Sequence, residues 1–153
     1  VIVEPFKHEE FTASRGDGAK LNGRRIRVSG RASEAGALYA TGIPFSSPSF
    51  DHMDGYLKTM HELANNSSGI RRMGAAALDL AYVAAGRMDA FWEMHLKPWD
   101  IAAGALLVRE AGGMVSDFQG GEKFLETGHI VACTPKLVKP TLKVIAKHLG
   151  KVK

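Results

Sequence analysis

Two carboxylates, Glu93 and Asp100, are the residues of this 153-residue chain best placed by type and spacing to do chemistry. Glu93 lies near the end of the apolar run Asp89-Ala90-Phe91-Trp92-Glu93-Met94, which predicts a strand. Asp100 follows Pro98-Trp99 and opens a predicted helix that Gly112-Gly113 stop. A carboxylate at a helix start has two readings. It caps the helix by accepting orphan N–H groups, or it gives one hard oxygen to a cation such as Mg²⁺, which takes one or two carboxylates plus water and phosphate oxygens. Chemistry alone favours the cap. Gly74-Ala75-Ala76-Ala77 is a third candidate, the bare head of a predicted helix. Backbone N–H groups there can receive an anion, and small residues can equally serve tight helix packing; the two readings balance.

Other chemistry-bearing residues have plainer readings. Asp51 and Asp54 sit three apart in the predicted first turn of a helix, where acids are stabilising in any case. The six histidines share no metal-ligand spacing. Cys133, the single cysteine, reads as a small buried residue of the strand His129–Cys133 and excludes an internal disulfide, as expected of a cytoplasmic protein. There is neither a P-loop nor a serine nucleophile elbow.

The elements that must position these groups follow from hydrophobic period and turn chemistry. Residues 1–28 read as short strands joined by turns, with Asn22-Gly23 suited to a tight hairpin. An antiparallel meander of this kind cannot bury a face unaided. From Ser33 onward, strands alternate with helices of about a dozen residues, the signature of a layered α/β domain. Strands are expected at Ala37–Thr41, Asp89–Met94, Met114–Phe118 and Ile130–Ala132, with a loop at Gly42–Pro48 and Ile70–Met73 extended. A first helix carries the stripe Met53, Leu57, Met60, Ala64; a second carries Leu78, Ala81, Tyr82, Ala85; the third begins at Asp100. A final helix places Val138, Leu142, Ile145 and Leu149 on one face, with Pro140 expected to kink or restart it.

At 45% hydrophobic residues the chain suffices for one domain with a core, and no run approaches the roughly 20 apolar residues of a membrane span. The net charge of +4 admits an acidic partner without requiring one, and aromatics are not interleaved with the basic residues as a nucleic-acid stacking platform needs.

Trp99-Asp100-Ile101-Ala102-Ala103-Gly104 with Glu110-Ala111-Gly112-Gly113 closely resembles the second signature of the inositol monophosphatase family. Residues Gly74 to Arg87, leading to Asp89 and Glu93, are similar to the segment that precedes it in the bacterial, extragenic-suppressor SuhB-like branch. The resemblance spans essentially the whole chain. It implies a layered αβαβα sugar-phosphatase fold and a Mg²⁺-dependent, lithium-sensitive phosphomonoesterase, usually a homodimer. It further implies that Asp100 binds metal near the substrate hydroxyls, that Gly74, Ala75 and Ala76 line the substrate, and that Glu93 accepts hydrogen bonds from a polyol such as inositol 1-phosphate. Histidinol phosphate, fructose bisphosphate or a phosphoadenosine nucleotide are the alternative substrates within the family. The family's Glu-Glu pair and Asp-Pro-x-Asp-Gly-Thr motif, which hold most of the metal and the attacking water, belong upstream of Val1. Asp51-His52-Met53-Asp54-Gly55 imitates only the spacing of the latter. The expectation is therefore a C-terminal half: residues 1–32 as strands of an otherwise missing N-terminal domain, residues 33–153 as the C-terminal α/β domain, no catalytic water-activating residue within it, and little activity alone. The non-enzymatic alternative is a binding module that contacts RNA or the transcription machinery, as is associated with that branch.

Overall fold

The computed structural model describes residues 1–44 and 49–150, so the expected loop at Gly42–Pro48 lies partly outside the described residues. Strands β1 (Ile2–Glu4), β2 (Glu9–Ser14), β3 (Gly18–Leu21) and β4 (Arg24–Arg25) pair in that order as the expected antiparallel meander. Asn22 and Gly23 take successive positive φ values of 48° and 75°, the type I′ turn that matches strand twist, and they set Leu21 opposite Arg24.

A second, five-stranded sheet has the order β6-β5-β7-β9-β8. It comprises β5 (Leu38–Thr41), β6 (Gly69–Arg71), β7 (Ala90–Glu93), β8 (Met114–Ser116) and β9 (Ile130–Cys133). Strand β5 runs parallel to both β6 and β7, whereas β9 runs antiparallel to β7 and β8. Its side chains alternate strictly between two cores, as strand geometry requires. Ala40, Phe91, Ile130 and Ala132 face one core with helices α2 (Ala76–Ala84) and α3 (Pro98–Glu110), onto which Phe11 and Ala19 of the first sheet also pack. Tyr39, Ala90, Trp92, Val131 and Cys133 face the other, with α1 (Met53–Asn65) and α5 (Val138–Leu149). The layers therefore run sheet, helices, sheet, helices. A short helix α4 (Phe124–Thr127), which no sequence period announced, precedes β9. The C-terminal end of α3 also grips the meander, because the Glu110 carboxylate accepts the Gly16 and Gly18 amides at 2.9 Å each.

Three local expectations are corrected. The fully buried residues of α1 are Tyr56, Thr59 and Leu63; of the expected stripe, Met53 and Met60 pack partly buried against the core, whereas Ala64 is exposed and Leu57 is 47% exposed. The helix is turned because Gly55 lies against α5, where a Cβ would stand 2.5 Å from the His148 carbonyl oxygen, and because Tyr56 packs its ring 5.0 Å from that of Trp92. Pro140 neither kinks nor restarts α5. It occupies the first turn, where its missing N–H is harmless. Finally, α3 begins at Pro98 with Lys97 as N-cap, so Asp100 is the third helical residue and not the cap itself.

Candidate functional site

Strand β5 is followed by α1 and by β6 on one side; β6 is followed by α2 and then by β7 on the other side of β5. The two helices cover opposite faces. The carboxyl ends of β5 and β7 thus flank a topological switch point, the crevice where open α/β sheets take their ligands. Thr41 ends β5 there, with Gly42 next in the chain, and Glu93 ends β7. The Thr41 hydroxyl ties the two by donating to the Trp92 carbonyl at 2.8 Å.

By the alternation of β7, Glu93 points to the α2/α3 side of the sheet. Its carboxylate lies on Gly42, where a Cβ would fall 1.8 Å from Oε1, so only glycine leaves room for it. Burial pushes the Glu93 carboxyl up to about 7, the charge on Asp79 adds to this, and Asp100 contributes less, with the Arg72 guanidinium opposing. Asp79, on the first turn of α2, is 1% exposed, and neither of its oxygens makes a hydrogen bond of normal geometry. Burial raises it as well, to about 7, against the pull of Arg72 and the Ala75 amide.

Helix α2 begins with Ala75 as an extended N-cap that offers no side-chain cap, and Gly74 before it has a φ of 86°. Gly74 and Ala75 are exposed and Ala76 is half-buried, so the head of the helix is open to solvent. Helices α2 and α3 approach closely: a Cβ on Gly104 would stand 2.5 Å from the Leu80 Cβ. That contact seats α2 and α3 against each other midway along both helices, and Asp100, on the first turn of α3, lies close enough to Glu93 for its charge to act on it. One oxygen of Asp100, Oδ2, reaches back to the Lys97 amide at 3.0 Å, the reverse half of a capping box. Asp100 therefore supports its helix start while its other oxygen is left for another partner.

Glu93, Asp100 and the Gly74–Ala76 head are thus brought to one crevice. Asp51 and Asp54 are exposed on the opposite helical layer and join no such group. The Cys133 thiol is fully buried and pushed up to about 12 by that burial, which makes it inert. Two residues of the crevice had been given no role. Asp79 was legible as the only charge in the run Ala75–Gly86, and Gly42 as the glycine ending a buried strand. Among the described residues no group of three or more His, Cys, Asp or Glu can enclose a metal ion. The donor set fits one or two hard-oxygen positions on Mg²⁺, from Asp100 with Glu93 nearby, but not a complete cage. No helix among the described residues is long and apolar enough to cross a membrane.

The sequence matches the inositol monophosphatase family over residues 1–151. It is 60% identical to the Nus factor SuhB of Pseudomonas aeruginosa over 149 residues, 97% of this chain and 55% of that protein. To the Escherichia coli K12 Nus factor SuhB it is 51% identical over 150 residues, 98% of this chain and again 55% of the relative. The crystal structure of the Bartonella henselae extragenic suppressor protein SuhB superposes with a TM-score of 0.87 at 45% identity, covering 94% of this chain and 55% of that one. An inositol monophosphatase from Anabaena gives 0.86 at 35% identity, covering 94% and 59%. The chain spans little more than half the length of the relatives it matches. Crevice, layer order and sequence agree, and the chain belongs to the inositol monophosphatase family, with its layered αβαβα fold.

Proposed function

We propose that this chain is the C-terminal part of a Mg²⁺-dependent phosphomonoesterase acting on a phosphorylated polyol of the inositol 1-phosphate class. The observation that carries the reading is the buried Glu93 carboxyl seated on Gly42 at the switch point, with Asp100 and the bare head of α2 beside it. In this reading Glu93 accepts hydroxyl hydrogen bonds, and desolvation strengthens each of them. The Gly74, Ala75 and Ala76 backbone lines the substrate and favours its negative charge. Asp100 gives its second oxygen to the cation while its first keeps the helix start in place. Mg²⁺ would neutralise phosphoryl charge and activate a water. One carboxylate such as Asp100 cannot hold a pair of cations, so the remaining ligands and the base come from the half that this chain does not span. Residues 1–32 belong, on this proposal, to the sheet of that half. A cytoplasmic homodimer completes the reading.

The test is phosphate release from inositol 1-phosphate by the 153-residue chain alone and by the chain fused to the preceding half of a SuhB relative. We expect Mg²⁺-dependent turnover only from the fusion, and its loss in Asp100→Asn. Substantial turnover by the chain alone, or a fusion indifferent to that substitution, refutes the assignment.

A second reading has its own support, since relatives at 60% and 51% identity are named Nus factors. It makes the chain part of a module that contacts RNA or the transcription machinery. A fusion that binds such a partner equally well with and without Asp100→Asn, and releases no phosphate, supports it over the first.

A further inference from the structure

We propose that His129 is a positioning residue for the loop that carries the chain from Glu93 to Asp100, and that it acts through the lone pair of its Nδ1. The significance of the loop rests on the reading given above; the clamp itself does not.

Three successive amides of this loop are held from outside it or from its far end. The His95 N–H donates to His129 Nδ1 at 3.3 Å, the Leu96 N–H to the Gly128 carbonyl at 3.0 Å, and the Lys97 N–H to Asp100 Oδ2 at 3.0 Å. Two left-handed residues let the segments meet, His95 at φ 59° and Gly128 at φ 72°. Gly128 must be glycine here, because a Cβ would stand 2.2 Å from the Leu96 carbonyl oxygen. The loop is therefore seated on residues 128–129 before it reaches Asp100.

His129 is 2% exposed, and its ring is fixed from two sides. Phe118 stacks on it with centroids 5.3 Å apart and planes 26° from parallel; His95 meets it edge-on at 4.6 Å. An imidazole nitrogen that receives an N–H must carry no proton, so the geometry assigns the proton of neutral His129 to Nε2. A proton added at Nδ1 sets donor against donor and ends the bond. The His95 imidazole, held below its ordinary range by burial and by His52 and Lys97, lies on one side, and the His52 ring stacks 6.0 Å beyond it. Asp117, the acid next to Phe118, has its oxygens bonded to the amides of Gln119, Gly121 and Lys123. The clamp thus needs an acceptor at the place of Nδ1, and not merely a flat ring to fill the space.

The test is amide exchange of residues 94–97 in the 153-residue chain at pH 8, corrected for intrinsic rates. His129→Asn, whose side-chain carbonyl can accept in place of Nδ1, is expected to keep the wild-type protection at His95. His129→Phe, which preserves the stack on Phe118 without an acceptor, exchanges faster there by about 3- to 10-fold, the worth of one such hydrogen bond. His95→Gly keeps the amide and the left-handed turn, and should keep the wild-type protection at that position. Wild-type exchange in His129→Phe overturns the proposal, as does a loss of protection in His129→Asn as large as in His129→Phe. If His129→Phe does not fold, His129→Leu, smaller and equally without an acceptor, takes its place. No substrate or cation enters the measurement, so a failed phosphatase reading and a failed clamp give different results.

Discussion

Asp79→Asn tests the electrostatics of the crevice directly. In the unfolded chain Asp79 titrates near ~3.9, whereas in the fold burial holds it near 7. Between these values the folded protein keeps a proton that the unfolded chain has released. Stability is accordingly greatest at low pH, declines as pH rises through the window from about 4 to about 7, and is level above it. At ~1.36 kcal/mol per unit, the part of that window between pH 5 and pH 7 corresponds to about 2–3 kcal/mol. Glu93 titrates in the same range beside it, so the pair shares this dependence and the lower figure is the safer expectation. Asparagine has the same shape and never charges. Urea denaturation of wild type and mutant at pH 5 and pH 8 gives two stability differences, and subtracting one from the other removes any packing or hydrogen-bond change common to both. We expect the mutant to gain about 2–3 kcal/mol relative to wild type on going from pH 5 to pH 8. A difference that is the same at both pH values, within ~0.5 kcal/mol, refutes the claim that Asp79 is a buried, uncompensated acid.

Three further perturbations probe the same crevice. Gly42→Ala drives a methyl into the Glu93 carboxylate and should raise the KM of the fused enzyme for a polyol phosphate by tenfold or more while leaving Tm within a few degrees. An unchanged KM would remove Glu93 from substrate contact. Gly104→Ala overpacks α3 against Leu80 and should cost about 1–3 kcal/mol, read as a lower urea midpoint. Asp100→Asn retains an oxygen for the Lys97 amide, so its stability should change by under ~1 kcal/mol. Its Mg²⁺ affinity in the fused enzyme, followed by isothermal titration, should nevertheless fall at least tenfold; a large stability loss with unchanged affinity would make Asp100 a cap only.

Much of the fold was legible because local chemistry and global packing agree. Asn22-Gly23 demands a tight hairpin and makes one. The continuous apolar run Ala90-Phe91-Trp92 gives a strand buried on both faces. Period alone misplaced the face of α1, since Leu57 and Tyr56 are adjacent and equally apolar in a helical count. The choice between them is made by Gly55 meeting α5, a contact between residues some ninety positions apart. The site divides in the same way. Glu93 and Asp100 stand out by type and spacing. Whether Asp100 caps or binds could not be decided from spacing, because its two oxygens do different things: one holds Lys97 and the other is left over. The contacts of Gly42 and His129 were hidden for a related reason. Each meets a partner about fifty or thirty-four residues distant, which its own neighbourhood does not name.

The charge of the crevice carries the last step. Asp79, Glu93 and Asp100 gather where two helix heads meet the switch point, with Arg72 as the cation that acts on the first two. A core that needed only to pack would place apolar residues there, because a buried carboxylate without partners is costly. Two acids held near 7 instead mark a place with more negative charge than its own neighbours neutralise. Protons can make up the difference at low pH, and a hard cation can do so at neutral pH, by the same electrostatic logic. The excess belongs to the crevice and not to the surface at large, because Asp51 and Asp54, equally acidic and equally close in sequence, lie exposed on α1 and its approach, where water already solvates them. The candidate crevice and the acidic pair on α1 are thus separated by desolvation, which residue spacing does not encode.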